Sequence, residues 1–196
     1  VERQPDSAEI HYLLGVTLEK MHRFDEALDH YRRSHALDDS SLAAVEAGVE
    51  VLIQMNRHGE AQKYLDTHMN RSNADAGTYE LAGRLALMQD NPRRAAAMFQ
   101  RACDNDHKNV RYPEMLASAH AQLGEYDRAA QVLQRLVTRE EYEAPARVYT
   151  MLGDSWMALK NPRRAMAAYS VAARLDNEDA QKWLDVARAA LASEST

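Results

Sequence analysis

Alanines recur along this chain at a fixed interval. Ala27, Ala61, Ala95 and Ala129 stand 34 residues apart, and Ala165 follows after 36. Twelve residues before each lies Gly15, Val49, Gly83, Ala117 or Gly153, small except for Val49. Four residues after each lies a large apolar one: Tyr31, Leu65, Phe99, Leu133 or Tyr169. The run Asn91-Pro92-Arg93-Arg94-Ala95 returns as Asn161-Pro162-Arg163-Arg164-Ala165. Five such copies exclude chance. A unit of this length cannot bury an apolar face alone, so neighbouring units must stack.

Each unit reads as two amphipathic helices. Leu14, Gly15 and Leu18 share one face of the first helix, and Phe24, Ala27, Leu28 and Tyr31 share one face of the second. Only 7 Gly and 5 Pro occur in 196 residues, too few for a strand-rich or linker-like chain. Alanine, the strongest helix former, is abundant. The pattern predicts helices over 7–20, 24–37, 41–55, 58–70, 75–89, 92–105, 110–123, 126–138, 146–159 and 162–175, with a last one over 179–193. Asn91 and Asn161 fit as N-caps before a proline at the first helical position. Ser40 and Asp75 fit as further caps, and Gly124 fits a helix C-terminus.

Charge and chemistry narrow the function. A net charge of −6 with pI near 5.8 disfavours nucleic acid and anionic membranes as partners. Cys103 is the one cysteine, so an internal disulfide and a cysteine zinc cluster are both excluded. It reads as a small, buried apolar residue in a second helix. The eight histidines form no H-E-x-x-H pair. His68 and His120 fall at core positions. Asp104-Asn105-Asp106 lacks the Gly and distal Glu of a calcium loop and reads as a turn. No Gly-rich phosphate loop occurs. The expectation is a chain without catalytic residues, metal or cofactor. No 18-residue apolar run occurs, and the start carries no signal-peptide pattern. Val1 in place of Met suggests a processed or excised piece, with further repeats expected before it. Cytoplasm and periplasm both remain open. The excess of Arg over Lys, with the alanines, points to a bacterial source.

The 34-residue period and its small, alanine and aromatic positions resemble the tetratricopeptide repeat. Leu14-Gly15, Ala27 and Tyr31 carry the match in the first unit. Tyr79, Ala82-Gly83, Ala95, Phe99 and Ala102 carry it in the third, and Tyr149, Leu152-Gly153, Ala165, Tyr169 and Ala172 in the fifth. The second unit departs, with Gly48 one place early. The fourth has Pro113 where an aromatic is usual, and its two extra residues fall in Thr138 to Pro145. The family's turn proline is replaced by Asp39, Asn73, His107, Glu141 and Asn177. The resemblance implies an all-α, right-handed α-solenoid forming a single domain over 1–196. Its repeats would cover 8–41, 42–75, 76–109, 110–145 and 146–179, with a capping helix over 180–193 that carries Trp183.

The resemblance also implies a concave groove walled by the first helix of each repeat. Carried over by position, its candidate protein-binding residues are Tyr12, Glu46, Glu50, Ile53, Glu80, Arg84, Leu87, Met88, Arg111, Glu114, Arg147, Asp154 and Met157. Glu46, Glu80 and Glu114 would form a carboxylate ladder about 10 Å per step, close enough to favour a cationic partner side chain. Ile53, Leu87, Met88 and Met157 would supply apolar contact, unless they serve the inter-repeat core. The family's carboxylate clamp is absent, since Tyr12 and Val16, Glu46 and Glu50, Glu80 and Arg84 occupy its places. Its asparagine ladder is absent too, replaced by Leu13, Ala47, Leu81 and Met115.

The function expected is a non-catalytic module binding a peptide or helix of a partner protein. Two alternatives stand beside it. One is a scaffold or self-associating subunit of a secretion, pilus or polysaccharide-export assembly. The other is the regulatory arm of a larger enzyme.

Overall fold

A computed structural model describes residues 7–71 and 74–175, together with 184, 186–188 and 191. Ten helices are bounded among the described residues: α1 (Ala8–Lys20), α2 (Phe24–Leu37), α3 (Leu42–Gln54), α4 (His58–Arg71), α5 (Ala76–Met88), α6 (Pro92–Asn105), α7 (Arg111–Gln122), α8 (Tyr126–Val137), α9 (Ala146–Ala158) and α10 (Pro162–Leu175). All lie within two residues of the bounds expected from periodicity. No described helix is long and apolar enough to cross a membrane.

The chain divides into two compact units, Val1–Gln89 and Asp90–Thr196. In unit 1, α1 to α5 pack consecutively, and the first helices α1, α3 and α5 lie side by side. In unit 2, α6 to α10 pack consecutively, and α7 lies beside α9. The division falls between α5 and α6, the two helices of the third repeat.

The helix starts follow from their caps. Asn91 Oδ1 accepts from Arg94 N at 3.0 Å, Asn161 Oδ1 from Arg164 N at 3.2 Å, and Asp75 Oδ1 from Thr78 N at 2.7 Å. Each satisfies one amide that the helix leaves without a partner. Ser40 does not cap α3 as expected. Its hydroxyl donates to Asp38 Oδ1 at 2.7 Å, and Ser41 takes the cap position without a side-chain bond. The aspartate two residues back offers a charged acceptor, which holds Ser40 in the turn.

The turn inside each repeat reverses through one left-handed residue. Gly124 holds φ +74°, and at the equivalent positions His22, Asn56, Asp90 and Lys160 hold φ between 54° and 58°. The closing bond recurs as Arg23 N to Leu18 O, Arg57 N to Leu52 O, Glu125 N to His120 O and Asn161 N to Trp156 O, all at 2.8–2.9 Å. Asn and Asp tolerate this conformation, but lysine meets the Cβ penalty. Lys160→Gly should therefore raise stability by about 0.5–1 kcal/mol, since the relieved strain exceeds the entropy that glycine adds to the unfolded chain. A thermal melt in which Lys160→Gly lowers Tm would contradict this.

The core is the predicted row of alanines and aromatics. Ala27, Ala61, Ala95, Ala129 and Ala165 are fully buried, and so are Tyr31, Leu65, Phe99 and Leu133. Glycines let the rings in. A Cβ on Gly15 would stand 2.5 Å from Tyr31 Cε1, and one on Gly153 would collide with Tyr169 in the same way.

The second repeat differs from expectation. Val49 does not face the ring there; Gly48 does, and its partner is Tyr64. Gly and Tyr have moved one residue together, keeping the 16-residue spacing of Gly15 to Tyr31 and Gly153 to Tyr169. Tyr64 then reaches the repeat before it, where its hydroxyl donates to Tyr31 O at 3.3 Å.

Leu14 also departs from expectation. It is 43% exposed, whereas Leu116 and Leu152 at the same repeat position are nearly buried. The later leucines lie in α7 and α9, each packed against the helix before its own. Among the described residues no helix precedes α1.

His68 is buried and bonded to Thr78 Oγ1 at 3.3 Å, as expected of a core imidazole. The His120 side chain is mostly buried, 13% exposed, with its Nδ1 2.8 Å from Glu125 Oε2 at the edge of the core. Cys103 is half-buried, and burial pushes its thiol up to about 11, so it is protonated and unreactive at neutral pH. Asp104 and Asn105, expected in a turn, instead end α6, and the turn follows them, where Asp106 Oδ1 accepts from the amides of Lys108 and Asn109. Asn73, Asn177 and most of 180–193, with Trp183, lie outside the described residues. Leu184 and Ala187 are buried against Ala165 and Tyr169.

Candidate functional site: the first-helix faces

In unit 1 the candidate residues fall on α1, α3 and α5. Tyr12 is half-buried, with its ring centroid 5.9 Å from that of Tyr31. Tyr31 donates its hydroxyl to Glu19 Oε2 at 2.7 Å, and Gln54 Nε2 reaches Glu19 Oε1 at 3.4 Å, which ties α1 to α3. Arg84 on α5 lies 3.8 Å from Glu50 on α3.

Glu46, beside them, is half-buried. Burial pushes its carboxyl above the usual carboxylate range. The charges of Glu50 and Glu80 push it further, and Arg84 opposes them. Glu46, Glu50 and Glu80 thus form one acidic cluster that Arg84 offsets in part. Ile53 and Leu87 are half-buried, and Met88 is 52% exposed. An apolar contact therefore sits one turn from Arg84 on α5.

In unit 2 the candidates lie on α7 and α9. Glu114 is held closed. Arg147 Nη2 reaches its two carboxylate oxygens at 2.9 and 3.1 Å, and the Tyr142 hydroxyl donates to it at 2.7 Å. Its side chain is 14% exposed against 65% for Arg147. Tyr142 comes from the segment with two extra residues after α8, which folds back onto α7. Arg139 anchors that segment, its Nη1 donating to His107 O at 3.0 Å. Arg111 is exposed at the start of α7.

Asp154 accepts from the Tyr169 hydroxyl at 2.7 Å; burial raises its carboxyl, and this bond opposes the rise. Met157 is half-buried against the cluster of Ala165 and Tyr169, so it serves the core at least in part. A recess of about 310 Å³ lies between α7 and α9, lined by Ser118, Gln122, Met151 and Asp154 among others.

The two units thus differ. Unit 1 keeps a carboxylate cluster beside exposed apolar atoms. Unit 2 closes its glutamate with a tyrosine and an arginine and leaves a small mixed recess. Position in the repeat could not reveal this difference, because Tyr142 lies outside the periodic pattern. Among the described residues no three metal-ligating side chains converge.

Profiles of the tetratricopeptide repeat match residues 8–41, 80–144 and 114–180. A TPR repeat-containing protein of Treponema pallidum (strain Nichols) is 27% identical over 180 residues, which is 83% of this chain and 22% of the relative. The chain therefore spans about a fifth of that relative's length. Among solved structures, MamA superposes with a TM-score of 0.73 at 16% identity, covering 91% of this chain and 96% of MamA. YrrB, described as a TPR protein with an unusual peptide-binding site, gives 0.70 at 15% identity, covering 97% and 93%. The C-terminal part of a TPR repeat-containing protein from Cytophaga hutchinsonii gives 0.75 at 17% identity, covering 94% and 73%. With a buried alanine, a large apolar residue and a left-handed turn at the same place in all five pairs, and with family matches over most of its length, this chain belongs to the tetratricopeptide repeat family.

Proposed function

We propose that the chain binds a peptide or helical segment of a partner protein along its first-helix faces, and that unit 1 sets a preference for cationic side chains. Tetratricopeptide repeats support the broader reading, a protein-interaction module. YrrB, a structural neighbour, is described by a peptide-binding site of its own. The observation that carries the finer reading is Glu46. A half-buried carboxyl raised by burial and by two like charges is relieved when a lysine or arginine seats beside it. Met88 and Leu87 add apolar contact that adapts to different sequences. No catalytic role is assigned, since nothing on these faces pairs a nucleophile with a base.

The test is affinity purification from the host with the native chain and with E46K/E50K/E80K, quantified by mass spectrometry. Glu114 is left out because Arg147 and Tyr142 already occupy it. Proteins retained by the native chain should fall by about tenfold or more, since reversing partly desolvated charges removes several kcal/mol of complementarity. Reversal of the exposed Glu140 and Glu143 should leave retention unchanged. Equal retention by all three chains would sink the charge preference.

A further inference from the structure

The second helices of unit 2 carry a feature that the first-helix reading does not use. Two adjoining clefts open between them. One, about 650 Å³, lies between α6 and α8 and is lined by Arg93, Gln100 and Arg128 among others. The other, about 680 Å³, lies between α8 and α10 over a floor of Tyr149, Leu152 and Trp156 from α9. Arg135 and Gln131 line both, so the clefts share a wall. Arg164 stands over Trp156, with its guanidinium carbon 4.6 Å from the ring centroid.

The charge of this surface is opposite to that of the chain. The protein carries a net −6. Yet among the described residues the two clefts are lined by Arg93, Arg128, Arg135 and Arg164 against a single carboxylate, Glu125. That carboxylate is already taken, 2.8 Å from His120 Nδ1 and 3.0 Å from Arg128 Nη1. Among the described residues, the cleft over Trp156 has no acidic residue in its lining. An aromatic floor beneath arginines suits a ligand with an apolar side chain between carboxylates, because each part meets its complement. A nucleic acid would also meet the arginines, but the net negative charge of the chain opposes a polyanion.

We infer that this second-helix face of unit 2 docks an extended acidic peptide segment of a partner protein, seating an aromatic or aliphatic side chain on Trp156 and Leu152. Carboxylates on either side of that side chain pair with Arg135 and Arg164, and the segment continues towards Arg93 along the shared wall. The face lies on the opposite side of α9 from the Ser118–Asp154 recess, so the two surfaces can be occupied together.

The chain has two tryptophans, which makes the test direct. With Trp183 replaced by Phe, Trp156 is the remaining reporter. The probe is the octapeptide Asp-Glu-Asp-Phe-Glu-Leu-Asp-Glu, titrated while tryptophan emission is followed. A saturable change is expected, weakened about tenfold or more by R135E/R164E and to an intermediate degree by R135Q/R164Q. Both arginines are exposed apart from the ring contact, and matching circular dichroism spectra would establish that the variants fold. The same peptide with every acid replaced by lysine should bind about tenfold more weakly. E46K/E50K/E80K should bind as the native chain does, which separates this surface from the first-helix one. The inference is overturned by no saturable change up to about 1 mM. It is equally overturned by equal binding of the two peptides, by indifference to R135E/R164E, or by an oligothymidylate that outcompetes the peptide.

Discussion

Tyr31→Ala should lower stability by about 3–5 kcal/mol, the range for deleting a fully buried aromatic ring. Tyr31 has no exposed surface. It fills the space that Gly15 leaves open, its hydroxyl donates to Glu19, and its backbone oxygen receives the Tyr64 hydroxyl. Removing the ring leaves a cavity between α1 and α2 that neither helix can close without shifting the other. The half-buried Glu19 also loses its 2.7 Å donor. Tyr31→Phe isolates that last part and should cost about 1.5–3 kcal/mol, the usual worth of a hydrogen bond to a charged group. Urea unfolding of the three chains measures both values. A cost for Tyr31→Ala no larger than that for Tyr31→Phe would mean that the ring is not a core element.

Mild acid should loosen unit 1 before unit 2. His35 and His68 are 3% and 2% exposed, and their ring centroids stand 5.1 Å apart. Burial holds His68 below the ordinary histidine range, against the opposing pull of Asp75 and Asp39. His30 is also lowered, by burial first and then by His11, with Nδ1 atoms 2.8 Å apart, and by Arg33; Asp29 and Glu26 oppose. At these histidines the folded state therefore binds fewer protons than the unfolded one. Its stability is full above the unfolded histidine pKa, about 6.5, and is lost as pH falls below it. A buried histidine kept neutral at pH 5 costs up to about 2 kcal/mol.

Unit 2 has no such buried pair among its described residues. His107 is exposed, and His120 faces Glu125, whose carboxyl is lowered by that bond. Unit 2 thus loses stability only at lower pH, as Glu125 takes up its proton. Hydrogen exchange at pH 7 and pH 5, corrected for intrinsic rates, should show lost protection in α1 to α4 and little change in α7 to α10. His68→Gln keeps a donor for Thr78 and should flatten the pH dependence. Uniform loss across both units would count against the histidine account.

Residue spacing made the repeat legible because backbone periodicity and packing obey the same interval. Ala27 to Ala165 mark where two helices touch, and contact at that distance admits only a small side chain. Asn91-Pro92 and Asn161-Pro162 were legible because a cap is a local event, decided within four residues. The Gly48–Tyr64 pair was legible in principle through its 16-residue spacing, but the alanine register pointed to Val49. The left-handed turns at His22 and Lys160 could have been read from Gly124, one or more repeats away. Two features could not be read. Tyr142 reaches Glu114 from outside the periodic pattern, where conformation depends on tertiary contact. The arginine-lined clefts need side chains from three helices, and no single helical face in the sequence shows them together.

Photocrosslinking in the host organism tests the central claim most directly. A benzophenone amino acid is placed singly at Glu50, Met88 or Asp154 on the first-helix faces, or at the exposed Arg33 on α2. The account predicts covalent adducts with partner protein from the first-helix positions, and their loss in E46K/E50K/E80K for the unit 1 probes. Adducts absent at Glu50, Met88 and Asp154, or appearing only at Arg33, would contradict it.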